Sequence, residues 1–332
     1  MSSGARLPAL VPYELANLPA ELIGGVIAVG NFDGVHRGHA ALLGAARAAA
    51  ALRGVPCVVL TFEPHPRSVL RPDTPVFRLT PLPAKARLLK ALGVDGLIVA
   101  HFDRAFSAIP AEAFIAEILV GRLKLKEAIV GHDFHFGKGR AGTPALLADA
   151  GARLGFAVTA FGGVSDESGE LYSSRAIRKS LENGDVAAAN RRLGYRWFAV
   201  GEVVAGDRRG RELGYPTANL TLPPDCRLRH GIYAVRVQRP DGAIFDGVAS
   251  YGRRPTFGDG PPLLEAHLFG FSGDLYGQEI AVAFVGWIRP ELKFASVADL
   301  VAEMDRDSAE ARRILAGAVP ESALDKALAK PG

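Results

Sequence analysis

Apolar residues in the first half of the chain come in short unbroken runs, separated by longer stretches mixing alanine, leucine and charge. Val26 to Gly30, Cys57 to Phe62, Leu97 to Ala100, Glu127 to Val130 and Phe156 to Phe161 are such runs. Unbroken rather than alternating apolar positions predict strands covered on both faces, as in a parallel sheet. Between them, Ala40 to Leu52, Lys85 to Leu92, Ala111 to Leu123 and Pro144 to Leu154 predict helices. Strand and helix in regular alternation predict a doubly wound α/β domain.

The pattern changes after the helical segment ending near Leu193. Trp197 to Val204, Gly231 to Val237, Ile244 to Ser250, Leu263 to Phe269 and Glu279 to Ile288 predict antiparallel strands, joined by turn signals such as Asp241-Gly242. Many strands and few helices predict an all-β barrel. Ser296 opens a last helix with Asp299 at the capping-box position and Val297, Leu300, Val301 and Met304 on one face. Beyond Ala316 the chain reads as a flexible tail. The expected division is 15–184 for the α/β domain, 185–315 for the barrel with its terminal helix, and 316–332 for the tail.

Composition adds limits. At 332 residues, 48% hydrophobic and 22% charged, the chain supports two packed domains rather than a disordered protein. The net charge of +4 is scattered, which suits polyphosphate substrates and speaks against nucleic-acid binding. Cys57 and Cys226 are too far apart and too few for a zinc site or a disulfide framework. No run approaches a membrane span, and the first residues lack the order of a signal peptide. A cytoplasmic enzyme, with self-association left open, is the expectation.

The first candidate chemistry follows the first strand, at Gly30-Asn31-Phe32-Asp33-Gly34-Val35-His36-Arg37-Gly38-His39. A glycine-rich turn between strand and helix brings backbone N–H groups and a positive helix end to a phosphate. Two histidines bracketing Gly38 place two donors beside it, suited to charge developing on phosphorus. A turn with solvated histidines and a metal site are the competing readings. The position at the carboxyl end of a first strand, where doubly wound sheets bind ligands, favours phosphate.

This run resembles the His-x-Gly-His signature of nucleotidyltransferases. With GNFDG in front it is similar to the FAD synthetase part of prokaryotic bifunctional riboflavin kinase/FAD synthetases. LTFEPHP at Leu60 to Pro66, GHDFHFG at Gly131 to Gly137 and SSRAIR at Ser173 to Arg178 match further elements of that family, in order. The resemblance implies that His36 and His39 contact ATP phosphates, that Gly30, Asn31, Phe32, Asp33 and Gly38 shape their pocket, and that Ser174 and Arg178 hold the triphosphate. It places Phe62 and Asp133 on the flavin side; core packing and a turn role are their alternatives. Arg175 and Ala176 depart from the usual Thr-Arg order.

In the second half, Gly206 to Asn219 combines glycines, basic residues and Pro216-Thr217-Ala218-Asn219. Spaced glycines allow a flap over phosphates, and a Thr hydroxyl and Asn amide are oxygen ligands for Mg²⁺; an ordinary loop is the alternative. The segment resembles the G-x-P-T-A-N element of riboflavin kinases. GIYAV at Gly231, GVASYGRRPTF at Gly247, LEAHL at Leu264 and GDLYG at Gly273 agree with that family. The resemblance implies Glu265 as general base, Gly210, Gly214, Thr217 and Asn219 at ATP, Thr217 and Asn219 at Mg²⁺, and Arg254 and Arg289 at the flavin. For Arg289 a salt bridge is the alternative. Ser250 and Gly270 stand where the family more often has Asn and Asp.

Taken whole, the resemblance implies a nucleotidyltransferase-type α/β domain followed by a riboflavin kinase-type barrel. Its implied activity is riboflavin to FMN to FAD, with ATP as co-substrate and Mg²⁺ as cofactor. Two other readings stay open: an FMN adenylyltransferase with an impaired kinase half, and a non-enzymatic flavin or nucleotide sensor.

Overall fold

The computed structural model describes residues 9–205, 213–253 and 262–329. Chain contacts divide these into two units, one from Ala9 to Ser174 and one from Arg175 onward. Each is described by itself.

In the first unit six strands form one parallel sheet: β1 Pro12–Glu14, β2 Val26–Val29, β3 Cys57–Glu63, β4 Gly96–His101, β5 Glu127–Gly131 and β6 Ala157–Phe161. Five are the strands expected. β1 is not; it is three residues long, begins with Pro12 and is largely exposed, so it carries no apolar run. The order across the sheet is β1-β4-β3-β2-β5-β6. From β2 the chain builds outward through β3 and β4, then returns to the other side of β2 for β5 and β6. β2 is therefore at the switch point of the sheet, the position beside which doubly wound sheets bind ligands.

Burial explains this sheet. All four residues of β2 and the first six of β3 are buried, and Ile27, Val58, Leu60, Ile98, Ala128 and Val130 belong to one continuous core. The helix Arg37–Arg53 covers one face and ends at Gly54, whose φ of 62° suits glycine. Residues Phe114–Arg122 wind as a π-helix, with Leu123 N donating to Ile118 O at 3.0 Å. The helix expected from Lys85 starts earlier, at Leu82, with Pro83 tolerated in its first turn. Buried Cys57 has its thiol pushed up to about 12, by burial first and then by the Asp95 carboxylate, so it is an inert core group.

The second unit holds an antiparallel sheet of β7 Phe198–Glu202, β8 Ala218–Thr221, β9 Gly231–Gln238, β10 Ile244–Gly252, β11 Leu263–Leu268 and β12 Glu279–Arg289. Its order is β7-β12-β9-β10-β11-β8. A bridge between Val204 and Asn219 joins the β8 edge to the chain leaving β7 and nearly closes the barrel. β8 was not expected, because the Pro-Thr-Ala-Asn segment reads as part of a loop. The unit also includes the helix Ser174–Glu182 from Arg175 onward, so the division falls earlier than the expected 184/185 boundary. Arg229 N donates to Leu181 O at 3.1 Å, and Gly184 lies against Arg229 and Trp287.

Ser296 caps the last long helix, Val297–Ala316, as expected: its hydroxyl accepts from Asp299 N at 3.1 Å. The buried face differs. Val297 is exposed, and the helix buries Asp307, Ser308, Ala311 and Leu315 instead. The stretch expected to be a tail is also corrected, because it carries the helix Ala323–Leu328. Asp325 accepts from Arg196 N at 3.2 Å and from Arg196 Nη1 at 2.6 Å, and Arg196 Nη2 donates to Val319 O at 2.7 Å. Polar sequence hides this anchor, since a single buried ion pair leaves no periodic signal.

Candidate active sites

The turn after β2 is held in a conformation that its residues would not adopt alone. Phe32 has φ 45°, Gly34 φ 89° and Val35 φ 36°. For Phe and a β-branched Val each such position costs about 1–3 kcal/mol and persists only where surroundings over-determine it. Three hydroxyls supply that constraint. Thr61 Oγ1 donates to Asn31 O at 3.1 Å, and Ser174 Oγ donates to Asp33 O at 2.7 Å. Thr80 Oγ1 lies 3.3 Å from Phe32 O and accepts from Gly34 N at 2.8 Å. Buried Asp33 completes the tie, its Oδ1 accepting from Thr80 N at 3.0 Å. Three consecutive carbonyls are thus drawn to hydroxyls, and the N–H across each trans peptide points the other way.

The turn feeds directly into the helix Arg37–Arg53. His36 is its N-cap, Nδ1 accepting from His39 N at 3.4 Å, and no acid stands in the first turn. That helix end is suited to an anion. The His36 and His39 rings stack at 3.8 Å between centroids, and Phe32 meets His39 edge-on at 5.3 Å. A Cβ at Gly38 would lie 3.2 Å from the His36 ring, so glycine is what lets that ring lie flat here. Burial, then the neighbouring His36, then the Lys85 ammonium hold the His39 imidazole well below the usual range. Its Nδ1 is buried with no hydrogen-bond partner. A neutral ring with an unsatisfied nitrogen beside a helix N-terminus is equipped to meet a phosphate oxygen.

The other residues expected in this unit divide. Gly30 leads into the turn, and a Cβ there would press on the Phe32 ring at 3.3 Å. Ser174 is close, but its hydroxyl is spent on the Asp33 carbonyl and so shapes the turn. Arg178 lies one turn further along the helix Ser174–Glu182, in the part grouped with the second unit. Phe62 is a core ring, 6.0 to 6.5 Å from Phe102, Phe106 and Phe114, which favours the packing alternative. Asp133 is exposed in the turn after β5, where His135 Nδ1 lies 2.9 Å from its carbonyl. Thr61, Thr80 and Lys85 were missed. Thr61 sits inside the LTFEPHP element, but Thr80 and Lys85 carry no local signal.

In the second unit, β11 places Glu265 directly between Asn219 of β8 and Ser250 of β10 in register. Residues paired this way share one face of the sheet. Asn219 is 5% exposed, and its Oδ1 has no hydrogen-bond partner. Beside it Thr217 lines a cavity of about 320 Å³ with Val203, Phe271, Leu275 and Tyr276. His267 Nδ1 lies 2.9 Å from Pro216 O, and the Tyr215 hydroxyl donates to Asp305 Oδ1, fixing the chain just ahead of Thr217. Gly214 (φ 83°) turns the chain before this segment. Gly210 and Arg254 lie outside the described residues.

Arg289 forms the salt bridge that was its alternative reading. Its Nε and Nη2 form a two-pronged pair with Asp307 at 2.8 and 2.5 Å, and Glu303 lies 3.4 Å away. The two-pronged pair ties the end of β12 to the terminal helix. Gly270 has φ 67° with open space around it, so it serves as a turn residue at the end of β11.

Two family profiles match the chain: FAD synthetase over residues 18–175 and riboflavin kinase over residues 193–315. The bifunctional riboflavin kinase/FMN adenylyltransferase of Escherichia coli K12 is 41% identical over 300 residues, covering 90% of this chain and 95% of that protein. The protein of the same name from Bacillus subtilis is 36% identical, with 91% and 95% covered. A Streptococcus pneumoniae crystal structure described as a macrolide-efflux protein superimposes with TM-score 0.78 at 31% identity, covering 92% of this chain and 99% of that one. Among the described residues, no helix is long and apolar enough to cross a membrane. With both profiles in order and relatives matched over nearly their whole length, the chain belongs to the bifunctional riboflavin kinase/FMN adenylyltransferase family.

Proposed function

We propose that this chain makes FAD from riboflavin in two steps, each in its own unit and each using ATP. The observation that supports the reading is a pair of separate polar clusters, each suited to phosphate. One is the constrained turn with stacked His36 and His39 at a helix N-terminus; the other is Glu265 set beside the unsatisfied Asn219.

In the second unit Glu265 takes the proton from the ribityl 5′-hydroxyl, and the oxygen attacks the γ-phosphorus of ATP, giving FMN and ADP. Thr217 and Asn219 offer hydroxyl and amide oxygens of the hard type that Mg²⁺ prefers, and the unpartnered Asn219 Oδ1 fits that role. When bound there, Mg²⁺ supplies charge neutralisation on the phosphates. Gly210 and Gly214 flank the same phosphates, and Arg254 is assigned to the flavin.

In the first unit a phosphate oxygen of FMN attacks the α-phosphorus of ATP and pyrophosphate leaves. His36, His39 and the backbone of Gly30 to Asp33 stabilise the charge that grows on the α-phosphate, with Gly38 allowing close approach. Ser174 keeps the turn in shape, and Asp133 faces the flavin side. Cytoplasmic operation accords with two unpaired cysteines.

Incubation with riboflavin, ATP and Mg²⁺, separating FMN from FAD over time, tests the scheme. His39→Ala abolishes FAD formation and leaves FMN formation intact. Glu265→Ala stops riboflavin phosphorylation but still converts supplied FMN to FAD. Loss of both activities from either change in a folded protein refutes the division of labour.

A further inference from the structure

Beneath the nucleotide turn lies a buried cation that the two-step scheme does not use. Lys85, on the helix Leu82–Ala91, is 3% exposed. Its Nζ donates to Thr61 Oγ1 at 3.2 Å and to Glu63 Oε1 at 3.0 Å. Thr61 and Glu63 are two apart on β3 and so present to the same side. Glu63 also has Arg78 at 3.6 Å, so the carboxylate is not held by Lys85 alone. Thr61 is fully buried, and its hydroxyl donates a hydrogen bond to Asn31 O at 3.1 Å.

The direction of these bonds matters. The Lys85 ammonium donates to the Thr61 oxygen, and the Thr61 O–H donates onward to the Asn31 carbonyl. Each bond in such a chain polarises the next. The carbonyl so held belongs to the peptide preceding Phe32, the first residue of the turn with a left-handed φ. Drawing that carbonyl toward β3 turns the Phe32 N–H the opposite way across the trans peptide. A buried ammonium needs acceptors for its three N–H groups, and one of those met here is the Thr61 oxygen.

We propose that Lys85 is a positioning residue for adenylyl transfer, acting through Thr61 to hold the Asn31–Phe32 peptide in the orientation that receives ATP phosphates. The inference rests on the adenylyltransferase reading of this turn. The Lys85 ammonium also lowers the proton affinity of His39, so its field reaches the same pocket.

The test uses the full chain and four variants: Lys85→Met, Thr61→Val, Thr61→Ser and the Lys85→Met/Thr61→Val double variant. FMN adenylylation is followed with separate kcat and KM for FMN and for ATP, and riboflavin phosphorylation is measured on the same samples. Amide-exchange protection across β2 and β3 reports whether the sheet is intact. Lys85→Met and Thr61→Val each lower kcat for adenylylation tenfold or more, with riboflavin phosphorylation within twofold of the parent. Thr61→Ser, which keeps the hydroxyl, stays within threefold. The double variant is no worse than the poorer single change by more than threefold, because both act through one chain of bonds.

Parent-like adenylylation by Lys85→Met overturns the proposal, as does a Thr61→Ser variant as slow as Thr61→Val, or losses that multiply in the double variant. Should Lys85→Met lose protection across the sheet, the two Thr61 variants decide. A parent chain that makes FMN but no FAD refutes the reading of the turn itself, a result distinct from failure of the Lys85 assignment.

Discussion

Asp325→Ala removes the residue on which the end of the chain is anchored. The Asp325 carboxylate accepts from Arg196 N, Arg196 Nη1 and Glu321 N at 3.2, 2.6 and 3.0 Å, and both charged residues are 7% exposed. The substitution leaves the Arg196 guanidinium buried with only the Val319 carbonyl against it. Removing one partner of a buried pair costs about 3–5 kcal/mol, because the remaining charge stays desolvated. In a unit of roughly 150 residues, each kcal/mol lowers Tm by about 2–4 °C. The expected fall is therefore about 6–20 °C. Both tryptophans, Trp197 and Trp287, lie in this unit, and Trp197 adjoins Arg196, so tryptophan emission during heating reads the right transition. Arg196→Met combined with Asp325→Asn recovers part of the loss, since no charge stays buried and the amide oxygen can still accept from a backbone N–H that Asp325 satisfied. Asp325→Ala melting within about 1–2 °C of the parent, a shift below 1 kcal/mol, refutes the argument that this pair anchors the chain end.

Three further outcomes are expected. Asn219→Ala raises the Mg²⁺ concentration needed for half-maximal riboflavin phosphorylation while leaving FMN adenylylation unchanged; a metal titration of each activity checks this. Gly247→Ala forces a Cβ to within 2.5 Å of the His267 carbonyl oxygen and destabilises the barrel by about 1–3 kcal/mol in denaturant unfolding. His39 has a folded pKa below its unfolded value of about 6.5. As pH falls below that value the unfolded chain takes the proton first, so the His39 contribution to stability is present above about pH 6.5 and lost as pH drops toward the folded pKa. Stability of the first unit against pH then has a shallower acid limb in His39→Gln, by at most about 1.4 kcal/mol per pH unit.

What could be read from the sequence follows from how each feature is encoded. The core strands of the parallel sheet are buried on both faces, so Val26–Val29 and Cys57–Glu63 declare themselves as apolar runs. β1 and β8 are short strands recruited by their neighbours, and no local pattern marks them. The histidine turn was legible because its chemistry is local: glycines, two histidines and a helix start within ten positions. The groups that hold it are not local. Thr61, Thr80 and Ser174 reach consecutive carbonyls from 30, 48 and 141 residues away, each with one hydroxyl that looks unremarkable in sequence. The same contrast separates Glu265 from Arg289. Glu265 faces Asn219 and Ser250 because strand pairing puts it there, whereas Arg289, on an equally motif-like stretch, is claimed by Asp307 of the terminal helix. Motif spacing therefore records which groups lie close along the chain. Long-range hydrogen bonds, which no spacing records, decide how those groups are held.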